Sequence, residues 1–287
     1  MKFREIIEYF VYSNLFIAFA AILMVFQTDF LFELRLTSYF YSFIFSASIM
    51  SYSFHWYLLS DVENSFERQI WTHENKKLLL SFFIIGTIAT IYFFTQLLDY
   101  WFWIVSIAII TFLYSAVKLP YKPFIYLQKI AIEKTLYLSI VWTYITAVLP
   151  FIISSAAWQT NNIVFILNRF FLIYAVCILF DIRDREPDQK AQIKNSITIL
   201  NINLVHNIFI ASLILFFMSL IYLHQFNLSF FQLLILSLPG ILLWVSFKKS
   251  IMTKSGLWYY LYLDGLMMLS GFIFYLIVFL NSVANYF

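Results

Sequence analysis

Between Asn162 and Ile182 the chain reads NIVFILNRFFLIYAVCILFDI, a run with one basic residue, Arg169, and one acid, Asp181. A helix needs about 20 predominantly apolar residues to cross the roughly 30 Å hydrocarbon core of a bilayer. The apolar residues follow one another without the alternation of a barrel strand, which indicates a helix. This stretch therefore predicts a membrane-spanning helix.

Runs of this kind make up most of the chain. Its 287 residues are 63% hydrophobic, 22% aromatic and 11% charged, with a mean hydropathy of +0.85. A soluble globule carries about 25% charged residues and needs a polar outer shell, so a soluble fold is excluded. The predicted spans lie near 9–28, 39–60, 78–97, 100–117, 130–152, 162–182, 198–222, 228–247 and 257–281. We therefore expect an all-α polytopic membrane protein, a nine-helix transmembrane bundle that forms one domain over 1–287.

The placement of lysine and arginine predicts the orientation of the bundle. All of them except Arg35 and Arg169 fall at the N-terminus or in the loops after the second, fourth, sixth and eighth runs. Cytoplasmic loops carry such an excess of basic residues. This predicts a cytoplasmic N-terminus and an outer C-terminus. The net charge of +3 then belongs to these loops, and we infer no nucleic-acid partner and no obligatory protein partner.

The sixth run ends in a cluster of acids, Asp181-Ile-Arg-Asp184-Arg-Glu-Pro-Asp188-Gln-Lys190. Helical spacing places the three aspartates within about 60° of one face, although Pro187 predicts a disturbed last turn with Asp188 on a loop. Carboxylate oxygens of this kind suit Mg²⁺. Neighbouring basic residues could neutralise phosphate oxygens, namely Arg183, Arg185, Lys190 and Lys194. A solvated, self-paired charge run accounts for the same residues.

This segment resembles the second aspartate-rich motif of the UbiA superfamily of intramembrane prenyltransferases, D-x-x-D-x-x-x-D with a basic tail after the sixth helix. Tyr114-Ser-Ala-Val-Lys118, followed by Lys122, resembles the family's Y-x-x-x-K element after the fourth helix. With the helix count and topology, the resemblance covers essentially the whole chain. The first motif departs from the family's N-x-x-x-D-x-x-x-D, because its positions hold Ser53, Tyr57 and Asp61.

The resemblance implies a Mg²⁺-assisted enzyme that moves a prenyl group from a prenyl diphosphate to a lipophilic acceptor, such as an aromatic ring or quinone precursor. Its site would face the cytoplasm, in the inner membrane if the source is bacterial. The implied metal ligands are Asp61, Asp181, Asp184 and Asp188. The implied catalytic residues are Asp181, Asp184, Tyr114 and Lys118. The implied substrate-binding residues are Arg183, Lys190, Lys194, Lys122, His55 and Tyr57.

The altered first motif leaves other interpretations open. Glu63 and Glu67 could replace its missing acid, and His55 could be a ligand or a hydrogen-bonded helix-end residue. Asp264 could complete the polar site or hold a neighbouring helix, since an intramembrane carboxylate usually faces the bundle interior. For the whole chain, the alternatives are a catalytically impaired binding or scaffold protein on the same fold and, less favoured, a transporter.

Overall fold

The computed structural model describes residues 3–59, 66–116, 134–190, 199–226 and 228–284, with the side chains of 114–116, 187–190, 226 and 284 left out. Apart from short connections these residues are helical, and no strand occurs among them. The helices are α1 (Phe3–Tyr12), α2 (Leu15–Phe32), α3 (Ser38–Leu59), α4 (Glu67–Glu74), α5 (Lys76–Thr95), α6 (Trp101–Ala116), α7 (Lys134–Ile153), α8 (Thr160–Lys190), α9 (Ile202–Leu223), α10 (Phe230–Met252) and α11 (Trp258–Val283).

Seven helices in the described ranges are long and apolar enough to cross a membrane: α2, α5, α7, α8, α9, α10 and α11. The protein is therefore an all-helical, multi-pass integral membrane protein. The two other predicted runs also form helices. Repeated serines and tyrosines lower the hydropathy of the 22-residue α3, and α6 has only 16 residues. A short 3₁₀ turn, Leu98–Tyr100, separates α5 from α6, where the sequence predicts a turn at Leu98 and Asp99.

Two helices form the centre of the bundle. Helix α2 packs against α3, α11 and the middle of α7, and α8 packs against α7, α9 and α10, while α5 packs mainly on α3. A close approach joins α2 and α11, because a Cβ added to Gly271 would lie 2.3 Å from the carbonyl oxygen of Leu23. Glycine allows two backbones to approach in this way.

The first predicted span, 9–28, is wrong in one respect: two helices cover it. Helix α1 ends at Tyr12 and α2 begins at Leu15, because Asn14 adopts a left-handed conformation with φ 72°. Asparagine tolerates this conformation better than most residues. The exposed side chains of α1 include Phe3 and Ile6. Helix α1 is therefore a separate element before the first apolar helix.

Helix α8 corrects a second expectation. It continues without a break to Lys190, so Pro187 does not move Asp188 onto a loop. Two other helices contain π-helical turns, at Tyr144–Val148 in α7 and at Trp258–Leu263 at the start of α11. Such turns are rare and occur often at functional sites.

Polar contacts join several connections at one end of the bundle. Glu67 of α4 accepts hydrogen bonds from Arg4 at 3.3 Å and from the backbone N–H of Gly256 at 3.0 Å. Lys254 donates to Glu186 near the end of α8 at 2.7 Å. We call the end formed by α1, α4, the last turns of α8 and residues 253–256 the polar end.

Candidate functional site

Two aspartates at the polar end share one cationic partner. The ammonium of Lys134, the first residue of α7, lies 3.8 Å from Asp181 Oδ1 and 3.6 Å from Asp184 Oδ2. The hydroxyl of Thr135 donates to Asp181 Oδ2. Asp181 is 3% exposed, so its carboxylate requires these partners to remain charged inside the protein. The contact between α7 and α8 thus brings both acids to one cation position.

Arg183 completes this cluster from the same helix. Its guanidinium binds Asp184 with two hydrogen bonds, from Nε to Oδ1 at 2.7 Å and from Nη2 to Oδ2 at 3.2 Å. It also lies over the rings of Tyr259 and Tyr260, at 4.7 and 4.9 Å from their centroids. Both tyrosines belong to the π-helical turn of α11. We call Asp181, Asp184, Lys134 and Arg183 the carboxylate cluster.

A second buried cation lies beside the altered first motif. The guanidinium carbon of Arg68 in α4 lies 4.0 and 4.1 Å from the ring centres of Trp56 and Tyr260, in the corner that these two nearly perpendicular rings form. It donates to the side-chain oxygen of Asn14 at 2.6 Å, and Asn14 in turn donates to Ser53 at 3.3 Å. A guanidinium therefore lies close to the position where the family pattern has its first metal-binding motif.

Burial lowers the pKa of Arg68, while the neighbouring Tyr260 and Asp264 act in the opposite direction. Asp264 lies within electrostatic range of both Arg68 and Arg183. Its two sequence interpretations, as part of the polar site or as an anchor for a neighbouring helix, both stay predictions.

The carboxylate cluster fits a magnesium ion by its donor chemistry. Mg²⁺ usually takes one or two protein carboxylates and completes its shell with water and substrate phosphate. Asp181 and Asp184 provide two such groups facing one cation position. No larger group of three metal-binding side chains occurs in the part of the chain that the structure describes.

Several predicted site residues lie outside the described part. They are Asp61, Lys118, Lys122, Lys194 and Glu63. For Tyr114, Asp188 and Lys190 the helical backbone is described and the side chain is not. Their predicted roles therefore stay predictions.

The other candidates have defined surroundings. His55 lies edge to face against Trp56, and the ammonium of Lys76 lies 5.1 Å from the ring centre of Tyr57. Neither contact involves the acids of α8. The carboxylate of Glu67 accepts hydrogen bonds from Arg4 and from the backbone N–H of Gly256. These contacts tie α4 to its neighbours, and the predicted role of Glu67 as a replacement for the missing acid stays a prediction.

Sequence reasoning missed two residues of this site. Lys134 belongs to the basic loop after the fourth run, and no local pattern distinguishes it from its lysine neighbours. Arg68 lies in the polar segment between the second and third predicted runs, yet it is 4% exposed. Its Nε is also buried without a hydrogen-bond partner. The aromatic residues around Arg68 come from three separate segments, which only the fold brings together.

An open cavity of about 660 Å³ lies at the other end of α2, lined in part by Asp29, Glu33 and Arg35. Since α2 has 18 residues, this cavity is about 27 Å along the helix from the polar end. It shares no residue with the carboxylate cluster. Comparison of the chain with protein families, curated proteins and solved structures gave no match.

Proposed function

We propose that the protein is an intramembrane prenyltransferase that moves a prenyl group from a prenyl diphosphate to a lipophilic acceptor with the help of Mg²⁺. The observation that carries this proposal is the convergence of two carboxylates and two basic side chains at one end of an apolar bundle. The resemblance of the α8 segment to the second UbiA motif points to the same chemistry.

The side chains at the polar end suit the reaction. The C–O bond between the prenyl group and the diphosphate breaks, and its electron pair leaves with the oxygen. An acceptor carbon then supplies the electron pair of the new C–C bond and afterwards loses a proton. Fixed cations stabilise charge that develops on a leaving oxygen, and Lys134 and Arg183, beside the two carboxylates, are the cations that we propose for this role. Magnesium, when bound, would stabilise the same charge.

The aromatic residues near Arg183 hold its guanidinium in place. Tyr259 and Tyr260 present their rings to it, and ring faces stabilise a neighbouring positive charge. The apolar helices provide the surroundings that a prenyl tail needs, and the acceptor we propose is an aromatic ring or a quinone precursor.

The proposed topology has nine spans, with α3 and α6 added to the seven apolar helices. At 22 residues, α3 is about 33 Å long. We place the N-terminus and the polar end in the cytoplasm and the C-terminus outside, because the basic residues concentrate at the polar end. After replacement of Cys177 by serine, single cysteines at Arg35 and Lys254 should react with membrane-impermeant reagents from opposite sides; labelling from one side would refute this topology.

The test of function is release of diphosphate from an allylic prenyl diphosphate by the purified protein. Release should require Mg²⁺ and an acceptor. Asp181→Asn or Asp184→Asn should lower it by ~10²–10³-fold. Glu186→Gln is the matched control, because Glu186 lies on the same helix and pairs with the exposed Lys254. Absence of release by the wild type, or equal release by all variants, would contradict the proposal.

A binding protein is the second candidate, because the first motif departs from the family's pattern and holds Ser53 and Tyr57 where the pattern has Asn and Asp. Such a protein would bind the prenyl diphosphate tightly without releasing diphosphate. Comparing lipid extracts of cells with and without the gene distinguishes the two, since only the enzyme makes a prenylated product that disappears with the gene.

A further inference from the structure

Lys134 holds an unusual position between the two acids of α8. Its ammonium is within 4 Å of both carboxylates, at 3.8 and 3.6 Å. In this position a single positive charge is shared by two negative ones. Asp181 and Asp184 would hold a Mg²⁺ ion through these same carboxylate groups. A divalent ion and the ammonium would repel each other at so short a separation, so the two cations compete for one place.

The two bases of the cluster differ in their freedom to move. The side chain of Arg183 is 7% exposed and is held by a two-point contact with Asp184 and by the rings of α11. The side chain of Lys134 is 33% exposed and ends in a compact ammonium on a flexible four-carbon stem. Lys134 is therefore the cation that can leave its carboxylates without disturbing the packed aromatic rings.

A diphosphate cannot use these bases while they neutralise the acids. If Lys134 turned to the diphosphate alone, the buried Asp181 would lose a partner, which is energetically unfavourable for a buried charge. If Mg²⁺ bound the acids alone, the ammonium would be left beside a divalent cation. Binding of both ligands together removes both penalties.

We propose that Lys134 exchanges partners: it neutralises Asp181 and Asp184 in the resting protein and binds the diphosphate once Mg²⁺ takes the two carboxylates. This inference rests on the proposed function. Lys134 therefore occupies the metal position in the resting protein and becomes a substrate-binding residue once the metal is bound. Binding of the metal and binding of the diphosphate then depend on each other. Mg²⁺ releases Lys134 for the diphosphate, and the diphosphate draws the ammonium away from the metal.

The first test measures metal binding without any substrate. Mn²⁺, detected by electron paramagnetic resonance, is titrated into purified wild type, Lys134→Met, Lys134→Arg and Lys254→Met. Lys134→Met should bind Mn²⁺ about tenfold more tightly than the wild type, because the competing charge is gone. Lys134→Arg keeps the positive charge and should bind Mn²⁺ as weakly as the wild type. Lys254 pairs with Glu186 outside the cluster, so Lys254→Met should match the wild type.

The second test measures binding of a non-cleavable prenyl thiolodiphosphate at saturating Mg²⁺. Here Lys134→Met should bind about tenfold more weakly, since the diphosphate has lost one cation. The two affinities therefore change in opposite directions. A purely structural role of Lys134 would weaken both, and such a result overturns the exchange. Elution as a single peak in size-exclusion chromatography shows that each variant is folded.

The remaining outcomes separate the exchange from the proposed enzyme. Opposite changes in the two affinities together with no diphosphate release from wild type and natural substrate refute prenyl transfer and support the exchange. Release by the wild type, combined with unchanged Mn²⁺ affinity in Lys134→Met, supports the enzyme and overturns the exchange. Absence of Mn²⁺ binding by all four proteins also overturns it.

Discussion

Two buried arginines on α8 have very different surroundings. Arg169 and Arg183 are about four helical turns apart, or ~21 Å. Arg169 donates to the carbonyl oxygen of Met24 at 3.1 Å and to Gln27 Oε1 at 2.7 Å. Arg183 binds the carboxylate of Asp184 and contacts aromatic rings. Within the described ranges, no carboxylate lies within ion-pair distance of Arg169.

This difference separates a structural charge, Arg169, from the charge to which the proposed function assigns a role, Arg183. Neutral dipoles from α2 stabilise Arg169, and Gln27 is fixed in turn by Ser270 of α11 at 2.7 Å. The guanidinium of Arg169 thereby connects three helices. None of its described partners is an anion that a bound metal ion could take over. At Arg183 the partner is a carboxylate that a metal ion can take over. The comparison predicts that mutations at the Arg183 cluster change chemistry, while those at the Arg169 cluster change stability.

The largest expected effect is on turnover. Arg183→Met should lower diphosphate release by ~10²–10³-fold, because one fixed cation beside the leaving group is lost. Arg169→Met should leave the rate per folded molecule unchanged. Steady-state kinetics, normalised to the folded fraction, check both variants. Equal losses of rate in the two variants would break the comparison.

The next effect is on stability. Arg169→Met leaves Gln27 Oε1 without the donor that it has in the structure, and a buried unpaired group costs about 1–3 kcal/mol. The carbonyl oxygen of Met24 keeps the hydroxyl of Thr28 as a donor. The free energy of unfolding should therefore fall by ~1–3 kcal/mol. Denaturant titration in detergent micelles measures this change; an unchanged free energy of unfolding contradicts the prediction.

Two glycines of α11, Gly271 and Gly265, differ in the space that their surroundings leave for a side chain. A Cβ at Gly271 would lie 2.3 Å from Leu23 O and 3.3 Å from Gln27 Cβ, so Gly271→Ala presses α2 away at the Arg169 cluster. Overpacking of this kind costs about 1–3 kcal/mol. At Gly265 the nearest atom, Phe16 Cζ, is at 3.5 Å, an ordinary contact. The midpoint of thermal unfolding should therefore be lower for Gly271→Ala than for Gly265→Ala. An unchanged midpoint for Gly271→Ala would show that α2 and α11 can move apart at little cost.

The smallest effect belongs to the exposed pair at the polar end. Lys254 and Glu186 are 64% and 69% exposed, and their atoms lie 2.7 Å apart. Exposed pairs contribute about 0–1 kcal/mol because water and salt screen them. Lys254→Met should therefore change the free energy of unfolding by less than ~1 kcal/mol. A larger change would indicate that this contact stabilises the polar end more than its exposure suggests.

The sequence predicts the apolar helices well because lipid requires long, continuous apolar runs. The run near 162–182 lies within α8, and the turn at Leu98 and Asp99 is present. The sequence does not reveal the break at Asn14, since the apolar residues continue on both sides. The conformation of Asn14 depends on its contacts with Ser53 and Arg68, which come from distant segments.

Some residues of the candidate site can likewise be identified from the sequence, and others cannot. Asp181 and Asp184 can be identified from their spacing on one helix, and Arg183 can be identified as the residue next to Asp184. Lys134 cannot, because its contact with both acids depends on how α7 crosses α8. Arg68 cannot either, since burial of a guanidinium from a polar segment requires rings from α3 and α11. Local patterns indicate which residues can carry charge, and tertiary packing decides which charges meet.

The π-helical turn at Trp258–Leu263 has a consequence for insertions and deletions in the chain. Such a turn contains one residue more than an α-helical turn. Loss of a single residue within it would convert the segment to ordinary helix, and the helix on either side would keep its alignment because the turn had absorbed the extra residue. Only the residues inside the turn would change position. The extra residue therefore sets how the rings of Tyr259 and Tyr260 face Arg183.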